Sequence, residues 1–280
     1  MSRRRELERH RHSLGEIREI MNSMKTLAYL ETHKLSRFLP TQQAVVASTE
    51  AIAADFLSFH PDILHAAAAT TQVYLLIGTE RGFCGDFNRQ LLTQLEAAAA
   101  PATARILGVG RKLQPLLEQD ARLVTVIDGA SVVEEVPTVL QRLVNELTTL
   151  QAQLGNLSLS GIHHDDEDVR QTGLLPPFLD LAPPTLPQRL PPLLNVPAET
   201  FLLDLTDHYL FAALHQILYA SLMAENHRRV AHLEMAVKHL DENAAELTRR
   251  CNALRQEEII EEIEVILLSS AGPEHSPASR

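Results

Sequence analysis

Arg81, Gly82, Phe83, Cys84, Gly85, Asp86, Phe87 and Asn88 form the run RGFCGDFN between an apolar stretch and a helical one. In α/β folds this is where backbone N–H groups at a helix start can cradle a phosphate. The rest of that chemistry is missing, since the run has no GxGxxG, no GxxxxGK[ST] and no lysine to bridge phosphates. A tight turn closed by Gly82 and Gly85 accounts for the same residues. His163, His164, Asp165, Asp166, Glu167 and Asp168 are metal-ligand types, as are His10 and His12, but neighbours on one loop rarely converge on one ion. The run HHDDEDVRQTG reads instead as a solvated loop. Cys84 is a candidate nucleophile with 13 histidines as potential bases, yet no triad pattern accompanies it, and Cys251 sits on an apolar helical seam. No catalytic, cofactor-binding or metal-binding residue is assigned. Glu257, Glu258, Glu261, Glu262 and Glu264 crowd what reads as a helix C-terminus, where the macrodipole already disfavours anions. Such a cluster is either a solvated face or a surface for a partner's basic residues.

The elements that must position these groups are written in the glycine and proline spacing. None of the 11 glycines lies between Gly173 and Gly272, and eight of the 15 prolines fall between Pro176 and Pro197, with the next at Pro273. That leaves 75 residues, 198 to 272, without proline, and one long helix explains them. Within it Val230, Leu233, Val237, Leu240, Ala244, Leu247, Cys251 and Leu254 alternate spacings of three and four, a left-handed coiled-coil seam. After Leu254 the frame breaks, and Ile259, Ile263 and Ile266 take over on a shifted stripe. A helix from Leu205 to Leu268 would be about 95 Å long, more than a domain of this mass can cover, so its seam needs a partner helix. Leu7, His10, Leu14, Ile17, Met21, Met24 and Ala28 carry a similar seam with one polar member, resumed by Leu35 and Phe38, and Pro40 is expected to end or kink that helix.

Between the helices, residues 73 to 79, 105 to 110 and 123 to 128 are short, β-branched apolar runs and read as buried strands, with 157 to 164 as a further candidate. Helical stretches at 88 to 99, 113 to 118 and 132 to 154 alternate with them, which predicts a doubly wound, largely parallel sheet. The fold class is therefore α/β: a coiled coil of N- and C-terminal helices plus a small doubly wound domain. The expected segments are an N-terminal helix at 1–60, an α/β domain at 70–175, a proline-rich connection at 176–200, a long helix at 201–270 and a flexible tail at 271–280.

Composition narrows the function. Lys and Arg number 25 against 36 Asp and Glu, for a net charge of −11, and with no Trp there is no basic, stacking-rich surface for nucleic acid. Two distant cysteines argue against a disulfide framework and for a reducing compartment. Neither a secretory leader nor a membrane span is expected, and the early Glu6 and Glu8 are unlike a transit peptide. Charge is uneven: residues 1 to 40 hold nine basic and five acidic side chains, and the remainder is acidic.

Three separated blocks resemble the gamma subunit of rotary F-type ATP synthases, in a divergent bacterial-type form. IMNSMKTLA (20 to 28) is similar to the family's N-terminal block through Ile20, Met24 and Ala28. GTERGFCGDFN (78 to 88) resembles its Arg-Gly-Leu-Cys-Gly block through Arg81, Gly82, Cys84, Gly85 and Asn88. CNALRQEEIIEEIEVI (251 to 266) resembles its C-terminal block through Asn252, Arg255, Gln256, Ile259, Glu262, Glu264 and Ile266, with Glu225 and Arg229 matching upstream. Met21, Cys251 and Ile260 stand where the family usually has hydroxyl-bearing residues.

The resemblance implies an antiparallel coiled coil acting as the central rotor shaft inside a hexamer of alpha and beta subunits, with the α/β domain at the foot against epsilon and the membrane c-ring. It implies a non-catalytic subunit, without cofactor, peripheral at the cytoplasmic face of the bacterial cell membrane. Partner contacts then fall on Met24, Lys25, Arg229, Arg255, Gln256, Glu261 and Glu262, while Arg81, Gly82, Gly85 and Asn88 hold the foot together. Two other readings of the residues stay open: a small ligand-binding or enzymatic α/β domain with a coiled-coil arm and RGFCGDFN as its site, and a plain coiled-coil adaptor.

Overall fold

A computed structural model describes residues 3–63, 71–179, 181 and 193–270. The expected tail at 271–280 and residues 180 and 182–192 of the proline-rich connection lie outside these residues. The polypeptide divides into two compact units, one formed by the described residues of Met1–Lys25 and Leu233–Arg280, the other by Thr26–His232. Two long helices, α1 (Arg3–Phe59) and α5 (Ala198–Ser270), contribute to both.

In the first unit the seam is visible as burial. Leu233 and Cys251 are buried, and Val237, Leu240, Ala244, Leu247 and Leu254 are half-buried. From α1, Leu7, Leu14, Met21 and Met24 are half-buried in turn. Ion pairs Arg18–Asp241 (2.5 Å) and Arg4–Glu258 (2.9 Å) flank the contact, and since the lower number on α1 meets the higher on α5, the helices run antiparallel. Glu258, the first residue to break the apolar frame, is thus where the pairing is closed by a charge. From Ile259 to Ser269 the side chains are exposed.

The second unit is built on a five-stranded sheet of order β3-β2-β1-β4-β5. β1 (Thr71–Ile77), β2 (Arg105–Val109), β3 (Leu123–Ile127) and β4 (Leu157–Asp165) are parallel, and β5 (Asp168–Leu175) pairs antiparallel with β4. The helices between them are α2 (Phe87–Ala97), the short α3 (Gln114–Leu117) and α4 (Val136–Leu154). Alternate residues of β1 feed two cores, as a strand with both faces covered requires. Val73, Leu75 and Ile77 join the layer of α1, α4 and α5, while Tyr74 and Leu76 join the layer of α2 and α3.

One expectation is narrowed and one corrected. Of the two outcomes expected at Pro40, an end to the helix does not occur, and α1 continues to Phe59. A mid-helix proline removes one backbone bond, and burial of Leu35, Val46, Ala53 and Phe56 on either side holds the helix across the gap. The stretch HHDDEDVRQTG is a β-hairpin, not a solvated loop: His163 pairs with Arg170, His164 with Val169, and the turn passes through Asp166 at φ 58°. The like-charged residues are confined to the two strand ends and the turn between them, while His163 and His164 are buried, His164 against the Phe87 ring.

Candidate functional site

A doubly wound sheet binds ligands beyond the carboxyl ends of its strands, where the strand order reverses. Here the reversal lies between β1 and β4, and the loop after β1 is the run containing Arg81 to Asn88. Its polar groups are taken by the protein's own side chains. The Glu225 carboxylate, carried by α5 and 3% exposed, accepts from the backbone N–H of Glu80 (3.2 Å) and Arg81 (3.1 Å) and pairs with Arg229. Arg229, 5% exposed, donates Nε to the Gly82 carbonyl (3.2 Å) and Nη1 to Asn226 Oδ1 (2.6 Å). Asn88 Oδ1 accepts from the Thr79 N–H at 2.9 Å, and its amide nitrogen donates to the Thr79 hydroxyl. Glu225 therefore stands where a bound anion would.

The neighbouring loops are filled in the same manner. Glu80 Oε2 accepts from the N–H of Arg111 after β2 (3.0 Å) and of Gly129 after β3 (2.8 Å). Glu31 of α1 accepts from the Val133 N–H (3.1 Å) ahead of α4, with Lys34 beside it at 2.8 Å. Carboxylates at helix starts answer both the dipole and the orphan N–H groups. Sequence reading missed Glu80 and Glu31, since an acidic residue that caps a distant loop looks like any surface charge. It also missed Arg228, whose guanidinium bonds Asp86, Gln90 and the Glu167 carbonyl. For Glu225 a signal was present, because a charged pair four apart interrupts a long apolar stretch.

Burial sets the chemistry. It pushes the Glu225 carboxyl up, against the pull of Arg229 and the two N–H donors. It drives the Cys84 thiol up to about 12, with the Glu225 charge adding to the effect, so no thiolate nucleophile forms. His163 is pushed down to about 4 and His164 is also lowered, both chiefly by burial. Adjacent in a strand, the two rings face opposite sides of the sheet and cannot share an ion. His164 stacks on Phe87 at 3.7 Å, its Nε2 lying 3.0 Å from the Phe87 carbonyl. No group of three side chains suited to a metal occurs among the described residues.

The remaining predicted residues are placed as follows. Gly85 takes φ +61° beneath the His232 ring, which a Cβ there would strike, so the position demands glycine. Gly82 has open space around it, and Phe83 rather than Gly82 carries the second left-handed backbone. Arg81 acts through its N–H, its side chain being exposed. Met24 and Lys25 are half-buried on α1, whereas Arg255, Gln256, Glu261 and Glu262 are exposed on the last turns of α5. Around them Ile259, Ile260, Ile263, Val265, Ile266 and Leu268 are 46% to 77% exposed. Arg229 lies with the loop in the second unit. No helix among the described residues is long and apolar enough to cross a membrane.

Comparison with curated protein sequences gives no significant match. Solved structures give the fold. The chain is similar to one from the central stalk and c-ring of the Tetrahymena thermophila mitochondrial ATP synthase, at TM-score 0.55 and 16% identity, covering 78% of this chain and 99% of that one. It is also similar to a chain from the rotor of the Euglena gracilis mitochondrial ATP synthase in rotational state 1, at TM-score 0.51 and 14% identity over 88% and 99%. A chain from the OSCP/F1/c-ring part of the Euglena enzyme in rotational state 3 gives 0.52 and 12% over 95% and 99%. The family model for ATP synthase matches residues 3–271, across both long helices and the sheet between them, and on that span the chain belongs to the gamma-subunit family of the F-type ATP synthases.

Proposed function

We propose that the chain is the central rotor shaft of an F-type ATP synthase, coupling ion flow through a membrane c-ring to ATP synthesis or hydrolysis on a hexamer of alpha and beta subunits. Within the structure, one observation carries this reading: past the Arg4–Glu258 pair, α5 presents an exposed apolar and acidic end that no described segment of its own first unit covers. Carboxylates at a helix C-terminus are locally unfavourable, which a surrounding sleeve with basic groups offsets. Met24 and Lys25 meet the moving lever of the beta subunit, and Arg255, Gln256, Glu261 and Glu262 make polar contacts inside the cavity, while Arg229, buried at the loop, holds its own chain rather than a partner. The α/β domain stands on epsilon and the c-ring, and the complex sits at the cytoplasmic face of a bacterial membrane.

No chemistry falls to this chain. Coupling is differential contact energy: each orientation of an asymmetric shaft stabilises a different conformation of each catalytic subunit. The ligand-binding alternative is disfavoured because the loop N–H groups at the switch point are already bonded to Glu225 and Glu80. The adaptor alternative is disfavoured by the ion pairs that close the seam within one chain. The test is co-expression with ATPase alpha and beta subunits. A stable complex with nucleotide-dependent rotation of this chain is expected, and an isolated chain that binds a nucleotide tightly but joins no complex would overturn the proposal.

A further inference from the structure

The residues that fill the loop at the switch point also determine how α5 is seated. Between Ser221 and Arg229 the helix makes directional polar bonds to several parts of the α/β domain. Ser221 Oγ donates to the Ile77 carbonyl of β1 (3.1 Å), Glu225 takes two N–H groups of the β1 loop, and Arg229 donates to the Gly82 carbonyl. Arg228 adds bonds to Asp86, Gln90 and the β4–β5 turn. Earlier in α5 the core contacts are apolar: Leu205, Leu214 and Leu218 are buried, and rings meet at Phe201 on Phe56 (4.8 Å), Tyr209 on Phe178 (4.8 Å) and Tyr219 on Phe38 (6.1 Å).

Apolar contact is non-directional, so a helix held by it alone can turn or slide in its groove with little change in buried area. The Glu225–Arg229 pair forbids that. A rotation of one residue about the helix axis, about 100°, keeps the pair itself, since both members lie on α5, but carries Glu225 off the N–H groups of Glu80 and Arg81 and Arg229 off the Gly82 carbonyl, leaving those buried groups short of hydrogen bonds. Buried ion pairs are poor sources of stability, and their best-attested use is to specify register.

We propose that Glu225 and Arg229 are positioning residues that lock the rotational register of α5 against the α/β domain, so that torque crosses between them without slip. The inference rests on the rotor reading and deepens it. α5 continues without interruption from this joint to Ser270, so torque made on its last turns reaches the α/β domain through residues 221–229.

The test uses the assembled complex of this chain with alpha and beta subunits, driven by ATP, with a bead fixed to the α/β domain. Glu225→Gln keeps the side chain's size but removes its charge and one acceptor. Arg229→Lys keeps the charge but not the planar fork. Both variants are expected to turn, without load, within about twofold of the parent rate, while the stall torque falls about threefold or more, because the lock is needed only under opposing force. A change that merely destabilises the fold lowers the yield of assembled complexes but not the torque at which an assembled one stalls. Parental stall torque in both variants overturns the proposal. If Glu225→Gln does not assemble, Arg229→Lys decides, and if neither assembles while the parent does, the pair is a folding requirement and the proposal is overturned. A parent chain that joins no complex overturns the rotor reading itself.

Discussion

Cys84 shows how completely this protein has closed a place where many folds keep a ligand. Its sulfur lies among the carbonyls of Arg81, Gly82 and Glu225 at 3.4 to 3.7 Å, with a thiol driven up to about 12. A maleimide at pH 8 should therefore label it at least about 100-fold more slowly in the folded chain than in denaturant. Mass spectrometry of the labelled peptide checks this, and a rate near that of a free thiol would mean that the loop opens readily. Removing one partner of the adjacent pair is the sharper lesion. Glu225→Ala strands Arg229 and two N–H groups, and about 3–5 kcal/mol should be lost in urea unfolding followed at the α/β domain. Added acetate should raise the midpoint of that variant and not of the parent, since a small carboxylate can refill the cradle. The residue types of this clamp were legible in the sequence and their partners were not. Glu80 reaches Arg111 and Gly129 across 31 and 49 residues, and Glu31 reaches Val133 across 102, separations that only the folded backbone brings to hydrogen-bond distance.

Among the elements, the β4–β5 hairpin has the clearest pH signature. His163 is 5% exposed, flanked by Asp165, Arg170 and His164, and held at about 4 against 6.5 for a free imidazole. A histidine lowered in the fold binds protons more weakly there than in the unfolded chain, so stability is full above pH 6.5 and falls as the pH drops towards 4. The whole window is worth about 3 kcal/mol for this one ring. His164 is shifted in the same direction and adds to the fall. Urea midpoints between pH 7 and 4 should follow this slope, and His163→Phe should flatten it; an unchanged slope would place the effect elsewhere. The seam has its own test. Leu233 is fully buried, so Leu233→Ala should cost about 2–5 kcal/mol, read as faster hydrogen exchange in residues 3–25. That seam and strands β1 to β3 could be read from periodicity and β-branched runs, to within about two residues at most ends. Of the hairpin, β4 matches the candidate strand at 157 to 164, but β5 could not be read, because the charged turn masks the strand pattern that follows it. At Pro40 propensity is likewise local, and burial along α1 carries the helix past it.

For the whole molecule, the exposed end of α5 is where folding and function separate. Glu261→Lys with Glu262→Lys changes two exposed side chains, so the melting curve of the free chain should move by no more than about 0.5 kcal/mol per site. Ion pumping per ATP in the assembled complex should fall severalfold, as expected where carboxylates meet a partner's basic groups. Unchanged pumping would assign the acidic cluster to solvent. The glycine-free, proline-free final third announced this helix in the sequence, and the broken frame after Leu254 announced its change of surroundings. The ion pair that closes the pairing at Glu258 did not show, because a glutamate at a seam position reads as an interruption. One further consequence follows from the antiparallel contact of residues 3–25 with the stretch that begins at Leu233. On the ribosome the first stretch emerges more than 200 residues ahead of the second, while the α/β domain between them already has both of its cores once α5 has passed Ala224. Leu7, Leu14, Met21 and Met24 must therefore wait through most of translation for the helix that covers them. Until synthesis is nearly complete the nascent chain thus carries an uncovered apolar stripe, the kind of surface that holding chaperones bind.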